Sequence, residues 1–293
     1  MSTDTIPPMG ERQSPTVRRR RLARELRKMR EAAGMTTAAV TRQLGWAAGR
    51  VNHLESGRHG TDPSALRDLM RIYEVTDPER IEAVLALGRQ SRQRGWWHTY
   101  NDVLDGDYLG FEAEASTISV YQPSVIPGLL QTPEYAARSA RASGAVTEKD
   151  IERVVAVREK RQEVLVEGIE LLAVLDENAL MRLVHTSDIA HEQLARLITI
   201  AEAVNGITIQ VLPVSAGLHA AMGGGFVILD YADAADPSLV YLEGRTGGTF
   251  LEKPEELEDY RRVFASLMRS ALSEEESIRS IKQFQEEGRR GVS

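Results

Sequence analysis

Between Leu22 and Val75 the apolar residues recur at helical spacing and glycines interrupt the pattern, which leaves room only for short amphipathic helices around one small core. Leu22, Leu26, Met29 and Ala33 form one stripe, Val40 and Leu44 a second, Val51 and Leu54 a third, and Leu66, Leu69, Met70 and Tyr73 a fourth. Gly34 predicts the stop of the first helix and the Thr36 hydroxyl the cap of the second. Gly45 predicts the tight turn into a third helix, expected from Ala47 to Glu55, and Gly57 its end.

The run Glu31-Ala-Ala-Gly-Met-Thr-Thr, then Leu44-Gly45-Trp46, then Leu54-Glu55-Ser56-Gly57-Arg58 resembles the Xre and phage-repressor type of helix-turn-helix, over about a fifth of the chain. The resemblance implies a structural ion pair between Arg30 and Glu55 and a third helix that enters the major groove of double-stranded DNA. That helix would present Ala48, Gly49, Arg50, Asn52 and His53 to base edges, with Arg50 reading guanine. Relatives often carry a Ser or Thr cap followed by Gln. Ala47, Ala48 and Gly49 stand here instead, so a capping oxygen and a bidentate adenine reader are both missing, and a glycine inside the helix costs about 1 kcal/mol against alanine. Phosphate contacts fall to Thr36, Thr37, Arg42, Ser56, Arg58 and His59. Arg18, Arg19, Arg20 and Arg21 join them, because four cations at a helix start oppose the macrodipole unless an anion lies nearby. Binding of this kind is salt-sensitive, and a homodimer on paired half-sites is expected.

Charge is divided along the chain. Residues 1–95 hold 18 Lys and Arg against 11 Asp and Glu, a net of +7, so residues 96–293 carry −14 and repel DNA. There is no cysteine, which excludes disulfides and thiolate chemistry. No apolar run approaches the ~20 residues that span a bilayer, and the start of the chain lacks the apolar stretch of a secretion signal, so a cytoplasmic protein without membrane contact is expected. The expected organisation is a disordered tail over 1–16, a DNA-binding domain over 17–76, a connecting helix and linker over 77–95, and a larger domain over 96–293. At the end of the linker Trp96-Trp97 needs a partner surface.

Helices and strands alternate irregularly in the larger domain. Strands are expected over Thr117 to Tyr121, Ile169 to Leu175, Ile207 to Leu212, Gly225 to Tyr231 and Leu239 to Leu242. Helices are expected over Glu148 to Val166, Ser187 to Val204, Pro254 to Leu272 and Glu274 to Glu287. The fold class is therefore a mainly α helix-turn-helix domain followed by an α+β domain with a small, mostly antiparallel sheet. Tyr121-Gln-Pro-Ser-Val-Ile-Pro-Gly128-Leu-Leu-Gln-Thr-Pro-Glu-Tyr135 resembles a signature of the large C-terminal domain of actinobacterial Xre regulators, which include the WhiJ-like developmental regulators. Leu175-Asp-Glu-Asn-Ala-Leu180, the stretch from Val211 through His219, and Leu251-Glu-Lys-Pro-Glu-Glu256 agree with it. The resemblance implies a transcription factor of development or antibiotic production, often accompanied by a small partner protein encoded nearby.

Leu129 and Leu130, after a stiff Pro-rich segment, and the stripe Ile278, Ile281 and Phe284 on the last helix are candidate partner-binding residues. No catalytic residue, metal ligand or cofactor is expected. Asp176 and Glu177, with His185, His191 and His219, are the available acid-base groups. His185 and His191 lack the i, i+4 spacing of a helical zinc pair, and no Gly-x-Ser-x-Gly elbow occurs. The leading expectation is a DNA-binding transcriptional regulator whose C-terminal domain receives a signal from a small partner protein or ligand. The alternative is an antitoxin-like interaction module in which DNA binding is secondary.

Overall fold

A computed structural model describes residues 14–57, 60–100, 103–144, 147–245 and 247–290. It divides into two compact units, residues 1–99 with the segment Asp233–Asp236, and the remainder.

The first unit holds α1 (Pro15–Ala32), α2 (Thr37–Gln43), α3 (Arg50–Glu55), α4 (Pro63–Ile72) and α5 (Pro78–Gln90). Leu22, Leu26 and Met29 of α1 pack with Val40, Val51, Leu66, Leu69, Met70 and Tyr73 into one core, which Val84 and Leu85 of α5 extend. The turn chemistry follows from the residues. Gly34, Gly45 and Gly57 all take left-handed backbone (φ +65° to +67°), and Thr36 accepts a hydrogen bond from the Ala39 N–H at 3.2 Å. α1 begins at Pro15, and Pro15, Thr16 and Val17 are buried, so residues 15 and 16 of the expected tail belong to the first helix, while residues 1–13 lie outside the described residues. Pro at the first helical position sets that start.

The second unit runs α6 (Gly106–Glu112), β1 (Thr117–Gln122), α7 (Pro133–Ser143), α8 (Glu148–Arg161), α9 (Glu163–Val166), β2 (Glu170–Asp176), α10 (Glu177–Val184), α11 (Ser187–Ala203), β3 (Ile207–Leu212), β4 (Phe226–Asp230), β5 (Leu239–Gly244), β6 (Gly247–Leu251), α12 (Pro254–Ser270) and α13 (Glu274–Arg290). The six strands form one mixed sheet in the order β3-β2-β1-β4-β5-β6. Three pairings are antiparallel, and β1-β2 and β2-β3 are parallel. Helical crossovers make those two pairings parallel, and β2 accordingly reads as a buried apolar run, Leu171 to Leu175, without clean alternation. On one face Tyr121, Val174, Phe226, Ile228 and Val240 pack under Phe264 and Leu267 of α12.

The Pro-rich segment after β1 is held by side chains. Gln193 of α11, fully buried, accepts from the Thr132 N–H at 2.7 Å and donates to the Leu130 carbonyl at 2.8 Å. Gln162 donates to the Gln131 carbonyl, Gln131 donates to the Ile126 carbonyl, and the Tyr135 hydroxyl accepts from the Ile126 N–H. A chain that cannot continue a helix thus has backbone groups at Ile126, Leu130, Gln131 and Thr132 satisfied by side chains. This corrects the reading of Leu129 and Leu130 as a docking surface, because they are 3% and 0% exposed and belong to the core. Ile281 is also fully buried, and Ile278 and Phe284 are partly buried, because α13 packs on α10, α11 and β3. The Ser277 hydroxyl in α13 accepts from the Val211 N–H at 2.9 Å, closing the β3 edge of the sheet.

Replacing Gln193 with Leu is expected to destabilise the second unit, by about 1–3 kcal/mol for each of the two backbone groups it orphans, measured by chemical denaturation. A loss below 1 kcal/mol would mean that water replaces both bonds.

Candidate nucleic-acid interface

α3 has six residues and no side-chain cap, so its position is inherited from its neighbours. Val51 is its buried anchor at 1% exposure, and Glu55 fixes its last turn. Arg30 near the end of α1 meets Glu55 in a two-pronged pair, Nε to Oε1 at 2.7 Å and Nη2 to Oε2 at 2.9 Å, while Nη1 donates to the Met35 carbonyl at 2.8 Å. The two side chains are 11% and 8% exposed. The hydrogen bond to Glu55, against the opposing effect of burial, raises the Arg30 pKa above its ordinary value, so the guanidinium stays charged.

The start of α3 departs from the sequence expectation. Ala47 and Ala48 lie ahead of the helix, and Gly49 is its N-cap at φ +82°, a left-handed conformation that disfavours a side chain. Gly49 therefore carries no mid-helix penalty and is the hinge at which the chain turns into α3. Ala48, Arg50, Asn52 and His53 are exposed, and Gly49 is partly so. The Arg50 guanidinium lies 4.2 Å over the Trp46 ring, a contact that orients the planar fork while leaving it open. Sequence reasoning missed this role of Trp46. A large aromatic just after the Gly45 turn was the available signal.

Of the phosphate candidates, Thr36 and Arg42 are exposed and Thr37 is partly so. Ser56 is exposed and donates to the His53 carbonyl at 2.7 Å, so it closes the helix end. Arg58 and His59 lie outside the described residues. The arginine run does not act as one arm. Arg20 is buried at 7% exposure, one turn from the buried Val17 and Ala23 on α1, and this corrects its reading as a phosphate contact. Arg18 donates to Asp236 at 3.0 Å and Arg21 to Asp233, both within the first unit, so these two cations already have carboxylate partners. Arg19 is partly exposed and donates to the Thr16 hydroxyl.

The acid-base groups of the second unit gather only in part. Asp176 and His219 approach to 3.9 Å, and the Tyr121 hydroxyl donates to Asp176 at 3.1 Å and lies 3.4 Å from His219 Nε2. Burial, then the Asp176 carboxylate, push the Tyr121 phenol well above its usual range, so it stays a protonated donor. Asp176 also caps α10 through the Asn178 N–H, and Glu177 accepts from the Val214 N–H. His185 and His191 are exposed elsewhere. Among the described residues no cluster of metal-ligating side chains occurs, and no helix is long and apolar enough to cross a membrane.

Removing one member of the Arg30–Glu55 pair leaves the other charge without compensation. Glu55→Ala is expected to lower the stability of the first unit by about 3 kcal/mol, read by calorimetry. An unchanged first-unit transition would contradict the clamp.

Comparison with known proteins agrees with this division. Residues 21–83 match a helix-turn-helix domain, and residues 106–283 match a domain of unknown function, DUF5753. The HTH-type transcriptional regulator BetI of Vibrio campbellii is 24% identical over 103 residues, which cover 34% of this chain and 48% of that protein. BetI of Vibrio vulnificus is 24% identical over 88 residues, covering 30% and 41%. The chain spans about half the length of the curated relatives it matches, or less. No solved structure matches it. Because the DUF5753 match takes in more than half of its residues, the chain belongs to the DUF5753 family, and it carries a helix-turn-helix domain ahead of the family-defining region.

Proposed function

We propose that the chain is a sequence-specific, DNA-binding transcriptional regulator of the Xre type, and that its second unit receives a signal from a small ligand or partner protein. The observation that carries the first part is a helix clamped by Arg30–Glu55 and Val51 that leaves Arg50, Asn52 and His53 open to solvent. In the major groove the Arg50 fork suits the two acceptors of guanine, and the Trp46 ring lowers the cost of holding it straight. Thr36, Thr37, Arg42 and Arg19 are the phosphate contacts that this reading keeps, with Arg58 and His59 beyond the described residues. Arg18 and Arg21 contribute only after exchanging their carboxylate partners for phosphate.

A thin base-reading set gives modest specificity per head, so the protein acts as a cytoplasmic homodimer on two half-sites, which multiplies the affinities of the heads. Regulation of development or antibiotic production is the role that the Xre resemblance favours. Of the five residues the antitoxin-like alternative relies on, Leu129, Leu130 and Ile281 are buried and Ile278 and Phe284 are partly exposed, which favours the regulator reading.

Gel-shift titration against DNA fragments selected at low salt tests the reading. Arg50→Ala is expected to weaken the selected site by about 1–3 kcal/mol and to relax preference at one base pair. Trp46→Ala should give a smaller loss of the same kind, and rising salt should weaken all complexes together. A wild-type protein that selects no sequence, or an Arg50→Ala protein that selects the same one equally well, would overturn it.

A further inference from the structure

The second unit contains a cavity of about 410 Å³, within the range in which proteins hold small molecules. Its floor is apolar and set by sheet register. Ile118 is paired with Leu171, Val120 with Val227, and Val227 with Tyr241, all lining the cavity. The Pro-rich segment from Pro123 to Leu129 forms a wall, and α6 and α8 supply the charged groups.

α8 places Arg158 and Arg161 one turn apart, and their situations differ. Arg161 donates to Glu112 twice, at 2.6 and 2.7 Å, and the Tyr108 hydroxyl donates to the same carboxylate at 2.7 Å. A Cβ at Gly128 would stand 2.9 Å from the Arg161 guanidinium, so a glycine there makes room for this pair. Its charge is balanced. Arg158 has no such partner among the described residues: its Nε and Nη1 are closed off from solvent and make no hydrogen bond there. Burial, then the like charge of Arg161, lower its pKa to about 10. Glu243 lines the cavity and acts on Arg158 through space, without closing an ion pair. Gln131 lines the same cavity, 3% exposed. Its amide nitrogen is used on the Ile126 carbonyl, and its Oε1 is buried without a partner among the described residues.

Unsatisfied buried polar groups are few in native proteins, and each needs an explanation. Here, among the described residues, a cationic donor without an acceptor and an acceptor without a donor line one cavity that has an apolar floor and charged and polar walls. We propose that this cavity binds a small monoanionic carboxylic acid with an apolar body and a hydroxyl or amide N–H, its carboxylate on Arg158 and its donor on Gln131 Oε1. The planar guanidinium fork matches a carboxylate, whereas a dianionic phosphate would meet one free cation beside the Glu112, Glu243 and Asp105 carboxylates that also line the space. The inference deepens the reading of the second unit as a signal receiver and rests on it for its biological meaning.

The test is isothermal titration calorimetry and thermal melting of the full chain with 3-hydroxydecanoate and N-acetylphenylalanine as probes. Decanoate, the two methyl esters and decyl phosphate serve as comparisons. At least one of the two acids is expected to bind with a Kd of about 1 mM or tighter. Its ester should bind about tenfold more weakly, decyl phosphate more weakly than 3-hydroxydecanoate, and decanoate more weakly than its hydroxylated form. Arg158→Met should lose about tenfold or more in acid binding while the melting temperature without ligand stays unchanged or rises by about 2–4 °C, since an apolar group then fills the place of an unpartnered cation. The proposal is overturned if neither acid binds, if ester or phosphate binds as tightly as acid, if Arg158→Met binds like the wild type, or if that substitution lowers the unliganded melting temperature by more than about 4 °C, which would make Arg158 structural. Gel shifts with and without acid keep the two readings apart. An acid that binds but leaves DNA affinity unchanged supports the site and removes the sensing role. A protein partner that alters DNA affinity while no acid binds keeps the sensing role and removes the site.

Discussion

The ion pair between Arg30 and Glu55 is the constraint from which the first unit takes its form. A six-residue helix without a side-chain cap is far below the length of about 12 residues at which isolated helices become even marginal, so α3 owes its existence and its direction to what grips it. Arg30 grips its last turn and at the same time holds the Met35 carbonyl, so one guanidinium ties the end of α1, the entry to α2 and the end of α3. Such a pair is a weak source of net stability, because desolvation offsets most of its attraction, but breaking it is costly and it admits one register only. The display of Arg50, Asn52 and His53 follows from that register.

A comparable logic runs through the second unit, with amides in place of charges. Gln131, Gln162 and Gln193 each reach the backbone of the segment between β1 and α7, where two prolines prevent helical self-satisfaction. That segment is a wall of the cavity, so the hydrogen bonds that make it rigid also shape a space open to a ligand. At the other end of the sheet, Ser277 and the Leu272 N–H occupy the Val211 backbone, and Gln210 reaches the Leu272 carbonyl, so α13 closes an edge. Its apolar stripe is spent inside the fold.

What could be read from the sequence was local. The glycines at 34, 45 and 57 announce positive φ because little else tolerates it, and the Thr36 cap and the periodic stripes place α1, α2 and α4 within a few residues. The start of α3 was misread because Ala47 and Ala48 are strong helix formers, and only backbone geometry shows that Gly49 sits in the left-handed region. β6 escaped notice because Gly247-Gly248-Thr249 has little strand propensity, and pairing with β5 makes it a strand. Arg20 and Leu129 looked exposed by residue type or context, but which face they occupy is decided by tertiary packing. The cavity was invisible for the same reason. Glu112, Gln131 and the Arg158–Arg161 turn are far apart in sequence and meet only when α6, α8 and the Pro-rich segment converge on the sheet.

Amide hydrogen exchange of the full chain, with and without a selected DNA duplex at low salt, tests the central claim most directly, because it reports which backbone becomes protected without altering a side chain. The account predicts slowed exchange at the start of α2 and from Gly49 through Glu55. Protection confined to residues 100–290, with α2 and α3 exchanging as in the free protein, would contradict it.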